Sequence, residues 1–156
     1  MMALWRLYYH FVWATKNREP LIDSEREPKL YHYIIGKADA LKCITHAVNG
    51  TENHIHLIAS IPPTLSISEF AKNIKGSSAH YLNHLTVNPG NFAWQAGYGV
   101  FTLGRKQLDQ AIIYVQNQKT HHAEGTIIAA LEQERNEDDP PERRYPSMDN
   151  RYPPRN

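Results

Sequence analysis

The sequence predicts an α+β domain on a split βαβ pattern: an antiparallel sheet with helices on one face, plus one further helix near the C-terminal end. Two observations carry that reading. The hydrophobic period switches between about 2 and about 3.6 residues in the order strand, helix, strand, strand, helix, strand. The 156 residues, 41% apolar and 21% charged, suit a single soluble globular core.

The first strand is expected over Leu4 to Thr15, a stretch rich in aromatic and β-branched residues. Leu7, Tyr9, Phe11 and Trp13 fall on one face, and Arg6, Tyr8, His10 and Val12 on the other, so one side reads as buried and the other as mixed. Arg6 and His10 interrupt its hydrophobicity, no small-residue cleavage pattern follows, and it is too short to cross a bilayer. It therefore reads as neither signal peptide nor anchor. The single Cys43 excludes an intramolecular disulfide or a Cys-rich zinc site and fits a reducing, cytoplasmic setting.

Asp23-Ser24 with Glu27 and Pro28 marks a helix start, and Leu30, Tyr31, Ile34, Ile35, Ala38 and Leu41 recur at helical spacing. Cys43 to Val48 reads as a second strand, Asn49-Gly50 as a hairpin turn, and Ile55 to Ile61 as a third strand ended by Pro62-Pro63. Ser66 or Ser68 caps a second helix whose apolar stripe is Phe70, Ile74, Tyr81 and Leu82. A fourth strand follows the glycines of Gln95-Ala96-Gly97-Tyr98-Gly99, near Val100 to Leu103. This order is the ferredoxin-like one, and that architecture hosts too many activities to select one.

His54-Ile55-His56 lies at the head of the third strand. Residues i and i+2 of a strand share a face, so both imidazoles project side by side and form half of a divalent metal site. With nine histidines in the chain, the spacing also arises by chance, and surface or core histidines are the alternative. Between Phe70 and Leu108 there is no acidic residue, while Lys72, Lys75, Arg105 and Lys106 alternate with Tyr81, Phe92, Trp94, Tyr98 and Phe101. Cations for phosphates and flat rings for bases suit single-stranded nucleic acid. Core aromatics beside a solvated lysine face read equally well.

A further helix is expected from Leu108 to His122. On a wheel of ~100° per residue, Gln118 and His121 fall within about 40° of Tyr114, with Leu108, Ile112 and Val115 opposite or flanking. Tyr114 is thus expected on the polar face, its hydroxyl presented to something. A short helix over Thr126 to Arg135 follows, and 136–156 is polar with five prolines and reads as a flexible tail. The expected division is a domain over 1–135 and a tail over 136–156.

These residues resemble the HUH endonuclease superfamily, and more narrowly the single-tyrosine HUH transposases of small insertion sequences and of repetitive extragenic palindromes. His54-Ile55-His56 matches the superfamily motif. His10-Phe11-Val12-Trp13-Ala14-Thr15-Lys16-Asn17-Arg18 is similar to the family's opening strand and loop, and Lys75-Gly76-Ser77-Ser78 to part of its second helix. Phe92 to Phe101 resembles a Trp-Gln-x-Gly-Tyr-Gly block, and Tyr114 to His122 a catalytic-helix signature. Asn53 stands where many relatives carry an acidic residue, and Leu103-Gly104 where many have Val-Ser.

The resemblance implies a metal-dependent single-stranded DNA endonuclease and strand transferase acting at or near hairpins. Tyr114 would be the nucleophile, forming a 5′-phosphotyrosine. His54, His56 and Gln118 would hold one Mg²⁺ or Mn²⁺, with His121 or His122 as acid/base or supporting groups. Lys16, Arg18, Lys72, Lys75, Trp94, Tyr98, Arg105 and Lys106 would contact DNA. A homodimer with no membrane association is implied, its tyrosine helix acting within one subunit or across two. The alternative is a non-catalytic nucleic-acid-binding module on the same fold.

Overall fold

A computed structural model describes residues 2–85, 90–125 and 138–142. The helix expected over Thr126 to Arg135 and most of the tail lie outside the described residues. The chain runs β1 (Tyr8–Ala14), a 3-10 turn (Lys16–Arg18), α1 (Arg26–Ala40), β2 (Ile44–Gly50), β3 (His54–Ser60), α2 (Ile67–Asn83), β4 (Gly99–Leu103), α3 (Arg105–Gln116) and α4 (Gln118–Glu124). The four strands form one sheet in the order β2-β3-β1-β4, every neighbouring pair antiparallel. That is the expected split βαβ arrangement.

The first strand starts at Tyr8, later than the composition suggested, because pairing decides a strand. Tyr8 lies opposite Leu103 and Tyr9 opposite Ala59, where the neighbouring ladders run out. Asp23 performs the expected capping of α1, its Oδ1 accepting from the backbone N–H of Glu25 at 3.1 Å and of Arg26 at 2.8 Å. Ser66 caps α2, its Oγ accepting from Glu69 N–H at 3.1 Å. Asn49-Gly50 is not the hairpin turn but the end of β2, paired with His56 and Ile55, and the chain reverses through Thr51–Asn53. Gly50 is required there by space, since a Cβ would collide with the His54 backbone.

α1 and α2 cover one sheet face, as expected, and the further helix covers the other. Phe11, Trp13, Ile55, Leu57 and Ala59 pack with Leu30, Ile34, Phe70, Ile74 and Leu82 of α1 and α2 into the main core. Each Leu, Ile or Phe side chain among them contributes about 1.5–3 kcal/mol on burial. On the opposite face Tyr8, Ala47 and Ile58 meet Leu108, Ala111, Tyr114 and Val115 of α3. This explains why all seven residues of β3 are buried and why β1 is buried on both sides. No helix among the described residues is long and apolar enough to cross a membrane.

Candidate functional site

Strand alternation puts His54, His56 and Ile58 of β3 and Tyr8, His10 and Val12 of β1 on the face that α3 covers. His54 is 3% exposed and His56 fully buried. Their rings stand 5.2 Å apart, edge to face. His122 of α4 brings a third imidazole, 4.6 Å from His54 between ring centres. One nitrogen from each of His54, His56 and His122 lies within 4.8 Å of the other two.

Gln118 is fully buried, and its Oε1 lies 3.1 Å from His122 Nε2. Tyr114 lies at the edge of this cluster, its ring 6.1 Å from that of His56 and nearly perpendicular to it. The structure therefore gathers His54, His56, Tyr114, Gln118 and His122 in one place. The side chain of His121 lies outside the described residues.

Two sequence expectations change here. The single helix is two: α3 stops at Gln116, Asn117 caps it, and α4 begins at Gln118. Tyr114 lies on the buried face with Leu108, Ala111 and Val115, while Ile113 is 56% exposed. The wheel assumed that the isoleucines mark the core side. α3 instead docks through Leu108, Ala111, Tyr114 and Val115, and the buried Gln118 follows at the start of α4, so the site is an extension of that packing face.

The segment carrying Gln118 and His122 is tied to its own sheet. Lys119 Nζ donates to Asn49 Oδ1 at 2.7 Å and to Gly50 O at 3.2 Å, and pairs with Glu27 at 3.0 Å. Asn49 Nδ2 donates to the Gln116 carbonyl at 2.9 Å. Tyr31 lies beneath Lys119, and burial, with the Glu27 carboxylate adding to it, raises its phenol well above the ordinary range.

The donor set fits a divalent cation. Metal-binding histidines have their second ring nitrogen held by a neighbouring group, which fixes tautomer and orientation. His54 Nδ1 lies 2.8 Å from Asn53 Oδ1 and 2.9 Å from Thr51 Oγ1, and His56 Nδ1 lies 2.8 Å from His10 Nε2. A ligand nitrogen would be Nε2 in both rings. Sequence reasoning gave no individual role to His10, Thr51 or Lys119, although His10 and Lys119 fall inside the stretches that resemble the family; Asn53 was noticed as a departure from a pattern.

The expected DNA contacts divide by location. Lys16 and Arg18 are exposed at the end of β1, where Thr15 N–H donates to Asn53 O at 2.8 Å, next to His54. Arg105 and Lys106 are exposed at the far end of α3, and Lys72 is exposed on α2, across the sheet. Lys75 Nζ is engaged by the carbonyls of Gln95 at 2.8 Å and Gly97 at 2.6 Å. Trp94 donates to Ser78 Oγ at 3.0 Å, and Tyr98 packs on Phe11 with its hydroxyl pKa raised by burial and by Asp138. Lys75 and Trp94 thus hold the glycine-rich loop against α2, while Tyr98 anchors it on β1.

Fold and site together define a split βαβ protein with a buried imidazole cluster facing a tyrosine. Residues 3–118 match the family model described as IS200-like transposase, and the chain belongs to that family. It is 27% identical over 124 residues to the ISDra2 transposase TnpA of Deinococcus radiodurans, covering 74% of this chain and 86% of that protein. Among solved structures it is similar to a candidate transposase from Deinococcus radiodurans R1, at a TM-score of 0.57 and 26% identity over 74% of this chain and 93% of the other. A REP-associated tyrosine transposase bound to a REP hairpin shares the fold, at a TM-score of 0.59 and 19% identity over 78% and 74% of the two chains.

Proposed function

We propose that this IS200-like transposase cleaves and rejoins single-stranded DNA at or beside hairpins, as an HUH enzyme with Tyr114 as nucleophile. The observation that carries the reading is the meeting of His54, His56, Gln118 and His122 with Tyr114 on one buried face. A DNA hairpin as substrate is supported by the REP hairpin bound to the structural relative.

Tyr114 Oη attacks the scissile phosphorus, forming a 5′-phosphotyrosine as the bond to the 3′-oxygen breaks. The phenol loses its proton and the departing 3′-oxygen gains one, so the step is balanced. Attack by another 3′-hydroxyl reverses it, joins strands and releases the tyrosine, with no nucleotide consumed. His54, His56 and Gln118 would hold one divalent ion, with His122 close enough to serve as a donor in its turn. Such an ion supplies positive charge to the phosphoryl oxygens and favours a phenolate over a phenol of ordinary pKa about 10.

Imidazole nitrogens suit Mn²⁺ better than Mg²⁺. His122 also holds the Gln118 amide in orientation through its hydrogen bond to Oε1. Lys16 and Arg18, beside the site, take the DNA phosphates nearest the cleaved bond. Lys72, Arg105 and Lys106 meet more distant DNA, while Lys75, Trp94 and Tyr98 shape the loop between. Residues 1–135 carry the activity, and the chain works as a cytoplasmic homodimer.

The test is incubation with labelled single-stranded hairpin DNA and Mn²⁺, read on a denaturing gel. A protein-linked band that needs metal and is absent from Tyr114→Phe and His56→Ala is expected. Binding across a hairpin panel without any covalent band would assign the chain to non-catalytic DNA binding. Mixing the two inactive variants reports on the helix: recovery of the band means that Tyr114 acts on the partner's histidines, and none means that it acts on its own.

A further inference from the structure

We infer that His10 is a positioning residue that sets the tautomer and direction of His56; its consequence for metal binding rests on the reading above. His10 is fully buried in the central strand β1, on the same face as His56. Its Nε2 lies 2.8 Å from His56 Nδ1, with ring centres 5.0 Å apart, and Phe101 packs against it at 6.2 Å.

A hydrogen bond between two imidazoles requires an N–H on one and a lone pair on the other. His54 shows which way the pair runs. Its Nδ1 lies 2.8 Å from the Asn53 amide oxygen and 2.9 Å from Thr51 Oγ1, whose own hydroxyl donates to that oxygen at 3.1 Å, so the network closes with Nδ1 as donor and the lone pair on Nε2. For His56 to present an Nε2 lone pair to the same cluster, its Nδ1 must donate, and His10 Nε2 is the acceptor at hydrogen-bonding distance. His10 is then the Nδ1–H tautomer. The two strand histidines are thus aligned by different means: His54 by its own loop, His56 by a second histidine across the sheet.

An imidazole is also a stronger acceptor than an amide, so the bond raises the ligand basicity of His56 as well as fixing its ring. A histidine that merely filled space there would be replaced by phenylalanine without consequence. Glutamine, by contrast, keeps an acceptor near the position of Nε2.

The experiment measures His56 side-chain nitrogens by long-range ¹H–¹⁵N spectra of the metal-free full chain, then Mn²⁺ affinity by electron paramagnetic resonance, for wild type, His10→Gln and His10→Phe. His56 is expected as Nδ1–H in wild type and His10→Gln, and as Nε2–H in His10→Phe. Mn²⁺ binding should weaken about 10–100-fold in His10→Phe and stay within about three-fold in His10→Gln. An Nε2–H His56 in the wild-type protein overturns the inference without recourse to any variant. So does a His10→Phe chain that retains both the tautomer and the affinity. A wild-type chain with Nδ1–H His56, lost in His10→Phe, that never binds Mn²⁺ sinks the metal reading and leaves the hold of His10 on His56 standing.

Discussion

The two faces of this sheet are built for different ends from the same strands. Toward α1 and α2, β1 and β3 present Phe11, Trp13, Ile55, Leu57 and Ala59 to one continuous apolar layer. Toward α3 and α4, the intervening residues present His10, His54 and His56, and the apolar packing shrinks to a smaller cluster around Ile58 and Leu108. Because successive strand residues point oppositely, the seven residues His54–Ser60 supply core and site at once. Stability is concentrated on one face, which leaves the other able to hold buried polar groups whose burial is costly.

The largest test of this contrast sets Tyr114→Phe against Phe70→Ala. Tyr114→Phe keeps the ring and should abolish the protein–DNA band while unfolding free energy stays within about 1 kcal/mol of wild type. Phe70→Ala empties a fully buried position on the other face and should cost about 3–5 kcal/mol in denaturant unfolding. If Tyr114→Phe proved the more destabilising, the division of labour between the faces would be wrong.

A smaller effect is expected at the clamp. Lys119→Ala removes the tie from α4 to Asn49, Gly50 and Glu27, and should cost about 0.5–1 kcal/mol of stability. Hydrogen exchange should quicken in α4 while α2 is unchanged, which sharpens the contrast between the faces.

His46, bonded to Ser60 Oγ at 2.7 Å near Tyr8, has its pKa lowered by burial. Its unfolded form takes a proton more readily than its folded form. Its contribution is therefore whole above the unfolded value of about 6.5 and is lost as pH falls through that value toward the lower folded one. The melting temperature should fall from pH 7.5 to pH 5 by less in His46→Gln than in wild type, which a thermal scan at both pH values decides.

The smallest change is Gly104→Ser. Gly104 is the N-cap of α3 at φ −76, without a capping side chain, and Gln107 Oε1 accepts its N–H at 2.8 Å. A Cβ there comes no closer than 3.4 Å to Gln107. Serine should add a few tenths of a kcal/mol, about the Ser–Gly difference at an N-cap, with DNA cleavage unchanged.

Much of this was legible in the chain. The six core elements appear in the expected order, with Asp23 and Ser66 at the expected caps, because local periodicity and side-chain capping act within one turn or one strand. Element ends were less legible. Tyr8 begins β1 and Gly50 ends β2 because of what lies across the ladder. Tyr114 was expected on the polar side of one continuous helix, whereas it packs on the buried side of α3 and Gln118 opens α4, since a wheel gives relative angles and neither the side that docks nor the break at Asn117. Lys75 and Trp94 carry the right chemistry for nucleic acid, yet the fold engages them with Gln95, Gly97 and Ser78.

The sequence by itself determined the α+β class, the side-by-side projection of His54 and His56, and membership of the IS200-like transposase family. All three rest on local spacing and residue identity. Only the tertiary structure decided that a third helix closes the second sheet face, that His122 joins the strand histidines, and that His10 meets His56. Those facts depend on which strands are neighbours and which helix face packs, and such non-local choices are made by burial across the whole fold.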